Sequence, residues 1–226
     1  MKIAKEQFEC PIEFEENKVS VLVLENPREF TNVVGEFKEQ LSDNDYGWIL
    51  SDNGEILPFS KNIELIIDPF GTELNQKKIL TKLYSVMERN VMQSEFMNKW
   101  RMLYSEMLSL VANIMDDMPY MLKCNQDGNI TELFKELEVK FESNPENLLE
   151  RIIDYICVIK DVYGKTVFIL INLKSYLTKE ELEQLYKKMF YEKINILLIE
   201  SHDNHDIIEE EKVTIIDNDM CVIYKS

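Results

Sequence analysis

Few residues of this chain have the types and spacing to do chemistry, and the first place to expect them is where open α/β sheets gather ligands, beyond the carboxyl ends of strands. The apolar run Val21-Leu22-Val23-Leu24 leads directly into Glu25-Asn26-Pro27-Arg28-Glu29. A nucleotide-binding protein keeps its phosphate loop at this position. Here the turn has no glycine and no lysine followed by Ser or Thr, and its two glutamates would repel phosphate. That argues against a nucleotide triphosphatase. His202 and His205, the only histidines, lie in Ser201-His202-Asp203-Asn204-His205-Asp206. Imidazole and carboxylate suit a zinc-like ion, but two histidines without a third fixed partner, in a loop rich in turn-formers, are more often merely solvated. No Gly-x-Ser-x-Gly elbow occurs, and no cysteine has a histidine near it in sequence. The chain is expected not to be an enzyme.

Charge offers two further candidates. Between residues 77 and 101 the basic residues Lys77, Lys78, Lys82, Arg89, Lys99 and Arg101 are opposed only by Glu88 and Glu95. Such a stripe could pair with phosphates, or be a solvated helix face. The formal net charge of −17 works against nucleic acid for a monomer, unless assembly concentrates the stripes around one channel. Asp116, Asp117 and Asp127 are the second candidate. A carboxylate pair at a helix end is misplaced for the helix dipole, and a calcium ion held by carboxylate and carbonyl oxygens would repair that. Their spacing matches no EF-hand loop.

The length of 226 residues allows a sizeable core, and the charged share of 30% is ordinary for a globular protein. The longest apolar run, Val167-Phe168-Ile169-Leu170-Ile171, is too short for a membrane helix, and the N-terminus lacks the apolar segment of a signal peptide. The four cysteines form no C-x-x-C pair; Cys157 and Cys221 lie in apolar runs and read as buried. A reducing cytoplasm is the expected compartment.

The elements that must position these residues follow from periodicity. Residues 12–16 alternate as a half-buried strand does, and residues 19–24 suit a strand covered on both faces. Pro27 can open a helix to about Leu41, with Phe30, Val33, Val34, Phe37 and Leu41 as its core face. Asp52-Asn53-Gly54 marks a hairpin, and residues 63–67 are a buried strand closed by Asp68-Pro69-Phe70-Gly71. Helices follow from Lys77 to about Arg89, Ser94 to Met118, Ile130 to about Phe141, and Pro145 to Tyr163, where Gly164 ends the last. In the longest, Phe96, Trp100, Leu103, Met107, Leu110 and Ile114 form a heptad seam, so it must pack against helices of its own chain or another. Strands over residues 166–173 and 194–200 flank a helix begun by Thr178-Lys179-Glu180-Glu181, and a hairpin closes the chain. This grammar predicts the α/β class, with a head domain from residues 1–71 and 164–226 and a helical leg domain inserted over residues 72–163.

Val21-Leu22-Val23-Leu24-Glu25 resembles the first core strand of the CRISPR-associated DNA-end-binding family of type II-A systems, and the order of the later segments resembles that family as well. Asp68-Pro69-Phe70-Gly71 with Lys78-Ile79-Leu80-Thr81-Lys82-Leu83 is similar to its Asp-x-x-Gly turn and first inserted helix, and Ile130-Thr131-Glu132-Leu133-Phe134-Lys135 to a helix of its insert. The most specific stretch runs Phe168-Ile169-Leu170-Ile171-Asn172-Leu173-Lys174-Ser175-Tyr176-Leu177-Thr178-Lys179-Glu180-Glu181, followed by Leu197-Leu198-Ile199-Glu200. The resemblance implies a head with a degenerate nucleotide-kinase-like sheet core and a helical leg. It also implies a homotetrameric ring that binds double-stranded DNA ends without sequence preference, calcium held by carboxylates, and work in spacer acquisition alongside the integrase complex and the effector nuclease. This chain departs from the family pattern after the long helix, where residues 116–127 hold few carboxylates and a lysine. That leaves Asp116, Asp117 and Asp127 as the surviving calcium candidates. A scaffold of the same machinery without DNA binding is the alternative.

Overall fold

A computed structural model describes residues 1–6, 8, 10–42, 44–203 and 208–225. The chain divides into two compact units, Met1–Glu73 with Ser143–Ser226, and Leu74–Glu142.

The first unit contains two sheets. Short strands β1 (Lys2–Ala4), β2 (Ile12–Glu13), β4 (Ile49–Asp52) and β5 (Glu55–Leu57) make an antiparallel sheet in the order β2-β1-β4-β5. The β4–β5 turn is the hairpin expected from Asp52-Asn53-Gly54: Asn53 and Gly54 both take positive φ, 48° and 86°, which matches the twist of the flanking strands. The larger sheet runs β10-β9-β3-β8-β7-β6. Its members are β3 (Val19–Leu24), β6 (Ile63–Ile66), β7 (Val167–Ile171), β8 (Asn195–Glu200), β9 (Glu211–Ile216) and β10 (Val222–Lys225). All neighbours are parallel except β9 and β10.

Every residue of β3 and β7 is buried, as expected for strands covered on both faces. On one face, Leu22, Leu24, Ile169, Ile171, Leu197 and Ile199 pack with Val33 and Phe37 of α1 (Pro27–Leu41), with Ile3 and Leu50 of the small sheet, and with Trp48 just before β4. Trp48 is fixed there by ring contact with Phe37 at 4.5 Å and by donation from Nε1 to Glu36 at 2.8 Å. Alternation sends Val21, Val23, Phe168, Leu170, Ile196 and Leu198 to the opposite face. The single helical turn α2 (Phe59–Asn62) leads into β6.

The opposite face belongs to α6 (Leu148–Tyr163) and α7 (Lys179–Tyr191). The Thr178 capping box opens α7 as expected, and Gly164, at φ 75°, closes α6. α6 corrects the expected domain boundary. Its inner residues Leu149, Ile152, Ile156 and Ile159 are all buried in the first unit, and Tyr155 donates to Glu64 of β6 at 3.0 Å. The insert therefore ends at residue 142 instead of 163. The spacing showed that α6 has an inner face, but not which layer that face covers.

The second unit holds α3 (Lys77–Met92), α4 (Phe96–Asp116) and the short α5 (Ile130–Glu136). Asn75 exchanges hydrogen bonds with the backbone of Phe141 at 2.9 and 3.1 Å, and Tyr84 donates to the Val139 carbonyl at 2.7 Å. These bonds close the ends of the insert onto each other. α5 stops five residues before the expected Phe141, with Glu138 in the left-handed region at φ 49°. Two cysteine expectations are also corrected: Cys157 is only half-buried and Cys221 is exposed, whereas Cys10 is the buried one.

If α6 belongs to the sheet layer, Ile156→Ala should lower the unfolding free energy by ~2–5 kcal/mol, as for a truncated core side chain. A loss below ~1 kcal/mol in denaturant melts would place α6 outside that core.

Candidate nucleic-acid interface

The strand order reverses beside β3, which lies between β8 and β9, so the β3–α1 turn stands at the switch point where phosphate would bind. The turn is closed to it. Pro27 at the first helical position has no N–H, and the next two amides, Arg28 and Glu29, donate to the Asn26 side chain at 3.0 and 3.4 Å. The Phe30 amide makes the first helical bond to the Asn26 carbonyl at 2.9 Å. No donor at this helix end is left for an anion, which agrees with the missing glycine and lysine.

The basic candidates are split by helix geometry. Lys78, Lys82 and Arg89 are separated by four and seven residues on α3, so they share one face, with Ser85 between them. Tyr84, buried in α3, points away from that face, and buried Ile79 lies at its edge. Lys77 stands off the row by one residue. On α4, Lys99 and Arg101 flank buried Trp100 and diverge by ~200° at 3.6 residues per turn. Lys99 sits 5.3 Å above the Phe96 ring. Among the described residues, Lys77, Arg89 and Arg101 take part in no ion pair. The row is thus Lys78, Lys82 and Arg89, with Lys77 beside it.

Charge is segregated between the units. The insert carries nine basic and ten acidic residues, so sixteen of the seventeen excess negative charges lie on the rest of the chain. The overall acidity that counts against DNA does not describe the surface around α3.

α4 exposes its seam. Only Trp100 is buried; Phe96, Leu103, Met107, Leu110 and Ile114 are exposed, Leu110 by 61%. The stretch after α4 folds back beside Tyr104. The Tyr104 hydroxyl donates to Asn125 at 3.3 Å, and a Cβ on Gly128 would come within 2.7 Å of the Tyr104 ring. Glycine is required there by close approach. Most of the heptad seam finds no cover among the described residues of its own unit.

The calcium candidates do not assemble. Asp116 ends α4, Asp117 caps it, and the Asp127 amide donates to Asn125 Oδ1 at 3.1 Å in a local turn. All three are exposed, and among the described residues no three His, Cys, Asp or Glu side chains converge. These carboxylates do not fit a complete cation site within one chain. His202 is exposed with Ser201 Oγ at 3.1 Å from Nδ1, and His205 lies outside the described residues.

The sequence reading missed one polar cluster. Glu200, Lys174, Tyr186 and Glu211 meet inside the first unit, and burial pushes the Glu200 carboxyl up to about 7. The available signal was a glutamate closing the apolar run of β8.

Residues 40–220 match the family model described as CRISPR-associated protein (Cas_Csn2). The chain belongs to the CRISPR-associated Csn2 family. A Csn2 protein of Enterococcus faecalis is 21% identical over 228 residues, covering all of this chain and 99% of the relative. Membership carries a role in CRISPR adaptation with it. Among solved structures, an ATP-binding cassette protein captured as a dimer with ADP and phosphate is 10% identical, with a TM-score of 0.42 over 96% of this chain and 94% of the other. No helix among the described residues is long and apolar enough to cross a membrane.

Because the α1 amides are already occupied, titration with magnesium and ATP to millimolar concentration should give no saturable heat. Asn26→Ala should cost ~1 kcal/mol of stability through the lost cap. A saturable isotherm with the unmodified chain would refute the closed turn.

Proposed function

We propose that this protein binds the ends of double-stranded DNA without sequence preference and without catalysis, as a homotetrameric ring, during spacer acquisition. The observation that carries the reading is the pairing, within one insert, of an uncovered apolar seam on α4 with a row of cations on α3. Water does not tolerate such a seam along a whole helix, so copies associate through it. Association brings several Lys78–Lys82–Arg89 rows to one particle and raises the local positive potential that a single acidic chain lacks. Family membership supports the setting, alongside the integrase complex and the effector nuclease. The contacts are phosphate contacts, which position DNA but read no bases.

An interaction scaffold without DNA binding is the second reading, favoured by the net charge of −17. Mobility shifts with a linear duplex, run with and without calcium, separate the two. The proposal expects affinity to fall steeply with salt, and linear DNA to bind where closed circles of the same sequence do not. Lys78→Glu with Lys82→Glu should weaken binding by ~100-fold or more while the solution mass stays unchanged. Equal retention of circles and linear fragments would exclude loading at an end. Unchanged affinity in the double variant would remove the α3 row from the interface.

A further inference from the structure

The turn after β6, Pro69–Gly71, and the turn after β7, Leu173–Ser175, follow neighbouring parallel strands and so leave the same end of the large sheet. Phe70 of the first turn and Tyr176, directly after the second, meet there. Their rings stand edge to face with centroids 5.4 Å apart. Phe70 is nevertheless 54% exposed and Tyr176 47%. Neither ring fills a core, and their mutual contact leaves about half of each in water.

Each ring stands on backbone fixed by its neighbours. Asp68 accepts from the Phe70 amide at 2.9 Å, Thr72 Oγ1 donates to the Pro69 carbonyl at 2.7 Å, and Arg151 of α6 donates to the Phe70 carbonyl at 3.1 Å. The Tyr176 amide donates to the Leu173 carbonyl at 3.0 Å, and Leu173 and Leu177 on either side are buried. Side chains presented in this way lose little freedom on binding, as the anchor of an interface requires. Aromatic residues are also among those most enriched in the cores of protein interfaces.

Charge selects the partner. Residues 67–73, 146–151 and 174–181 carry the two turns and the start of α6, and they hold six carboxylates against Arg151, Lys174 and Lys179. Lys174 is spent on Glu211, 2.7 Å away inside the unit. The whole unit carries sixteen of the seventeen excess negative charges. Such a surface repels phosphate and attracts cations. An ammonium or guanidinium drawn to it also finds an aromatic face to rest on.

We propose that the Phe70–Tyr176 pair anchors a docking site for a basic protein segment, one that sets an apolar side chain against the rings with lysine or arginine around it. The site does not depend on DNA binding, since the α3 row belongs to the other unit.

The test is calorimetry of the full chain with a short oligolysine peptide carrying one central tryptophan, beside the same peptide with alanine at its centre. The tryptophan peptide should bind ~10-fold more tightly. Phe70→Ala with Tyr176→Ala should remove that advantage and leave the salt-sensitive affinity for the alanine peptide unchanged. Both rings are exposed, so the double variant should fold; if it does not, Tyr176→Ala alone should cut the advantage by ~3-fold or more. Equal affinity for the two peptides, no saturable binding of either, or an advantage that survives the substitutions would overturn the docking site. Binding of single-stranded oligothymidylate that the double variant loses would make the pair a base-stacking platform and would equally overturn it.

Discussion

The head is organised by the burial of β3. Its six residues have β8 on one edge, β9 on the other and apolar layers on both faces, so they have no alternative position. That placement fixes the β3–α1 turn at the point where the sheet order reverses, and there Asn26 and Pro27 dispose of the free amides. The same layering places α1 and the small sheet on one side, and α6 and α7 on the other. A sheet of this kind ordinarily offers phosphate a helix end; here the sequence has filled that end with its own side chain. What remains is a sheet core whose switch point is closed to phosphate.

Function then depends on the insert. The insert is nearly neutral overall, with its cations in a row on α3 and its apolar side chains in a seam on α4. A single copy is poorly equipped to bind DNA: three cations on one face are few against a chain of −17, and the seam stands in water. Association would cover the apolar surface and multiply the rows. The two weaknesses share one remedy, which is why assembly and DNA binding belong to one proposal.

Much of the fold was legible in the sequence, because local rules decided it. Residues 19–24 could only be a strand buried on both faces, Pro27 set the start of α1, Asn53 and Gly54 set a hairpin, and Thr178 and Gly164 capped their helices as their chemistry requires. The failures lie where distance in the chain hides proximity. The spacing of α6 shows an inner face but not the layer it covers, so it overstates the length of the insert. β1 is three residues, too short to display an alternation. Glu200, Lys174, Tyr186 and Glu211 come from separate elements, and nothing in their local sequence announces that they meet.

The candidate site was legible in part. The missing phosphate loop could be read from Glu25-Asn26-Pro27-Arg28-Glu29, but not that the Asn26 side chain occupies the free amides. The basic residues stand out by charge, and helix geometry separates the Lys78–Lys82–Arg89 row from Lys99 and Arg101. The exposure of α4 is the deciding addition, since a heptad pattern does not say whose helix fills it. The most direct test is the affinity of a Leu103→Asp, Leu110→Asp variant for a linear duplex, measured alongside its solution mass. Both residues are exposed in the single chain, so folding should persist. The account predicts a monomer that has lost DNA binding; a monomer that binds the duplex as tightly as the unmodified protein would contradict it.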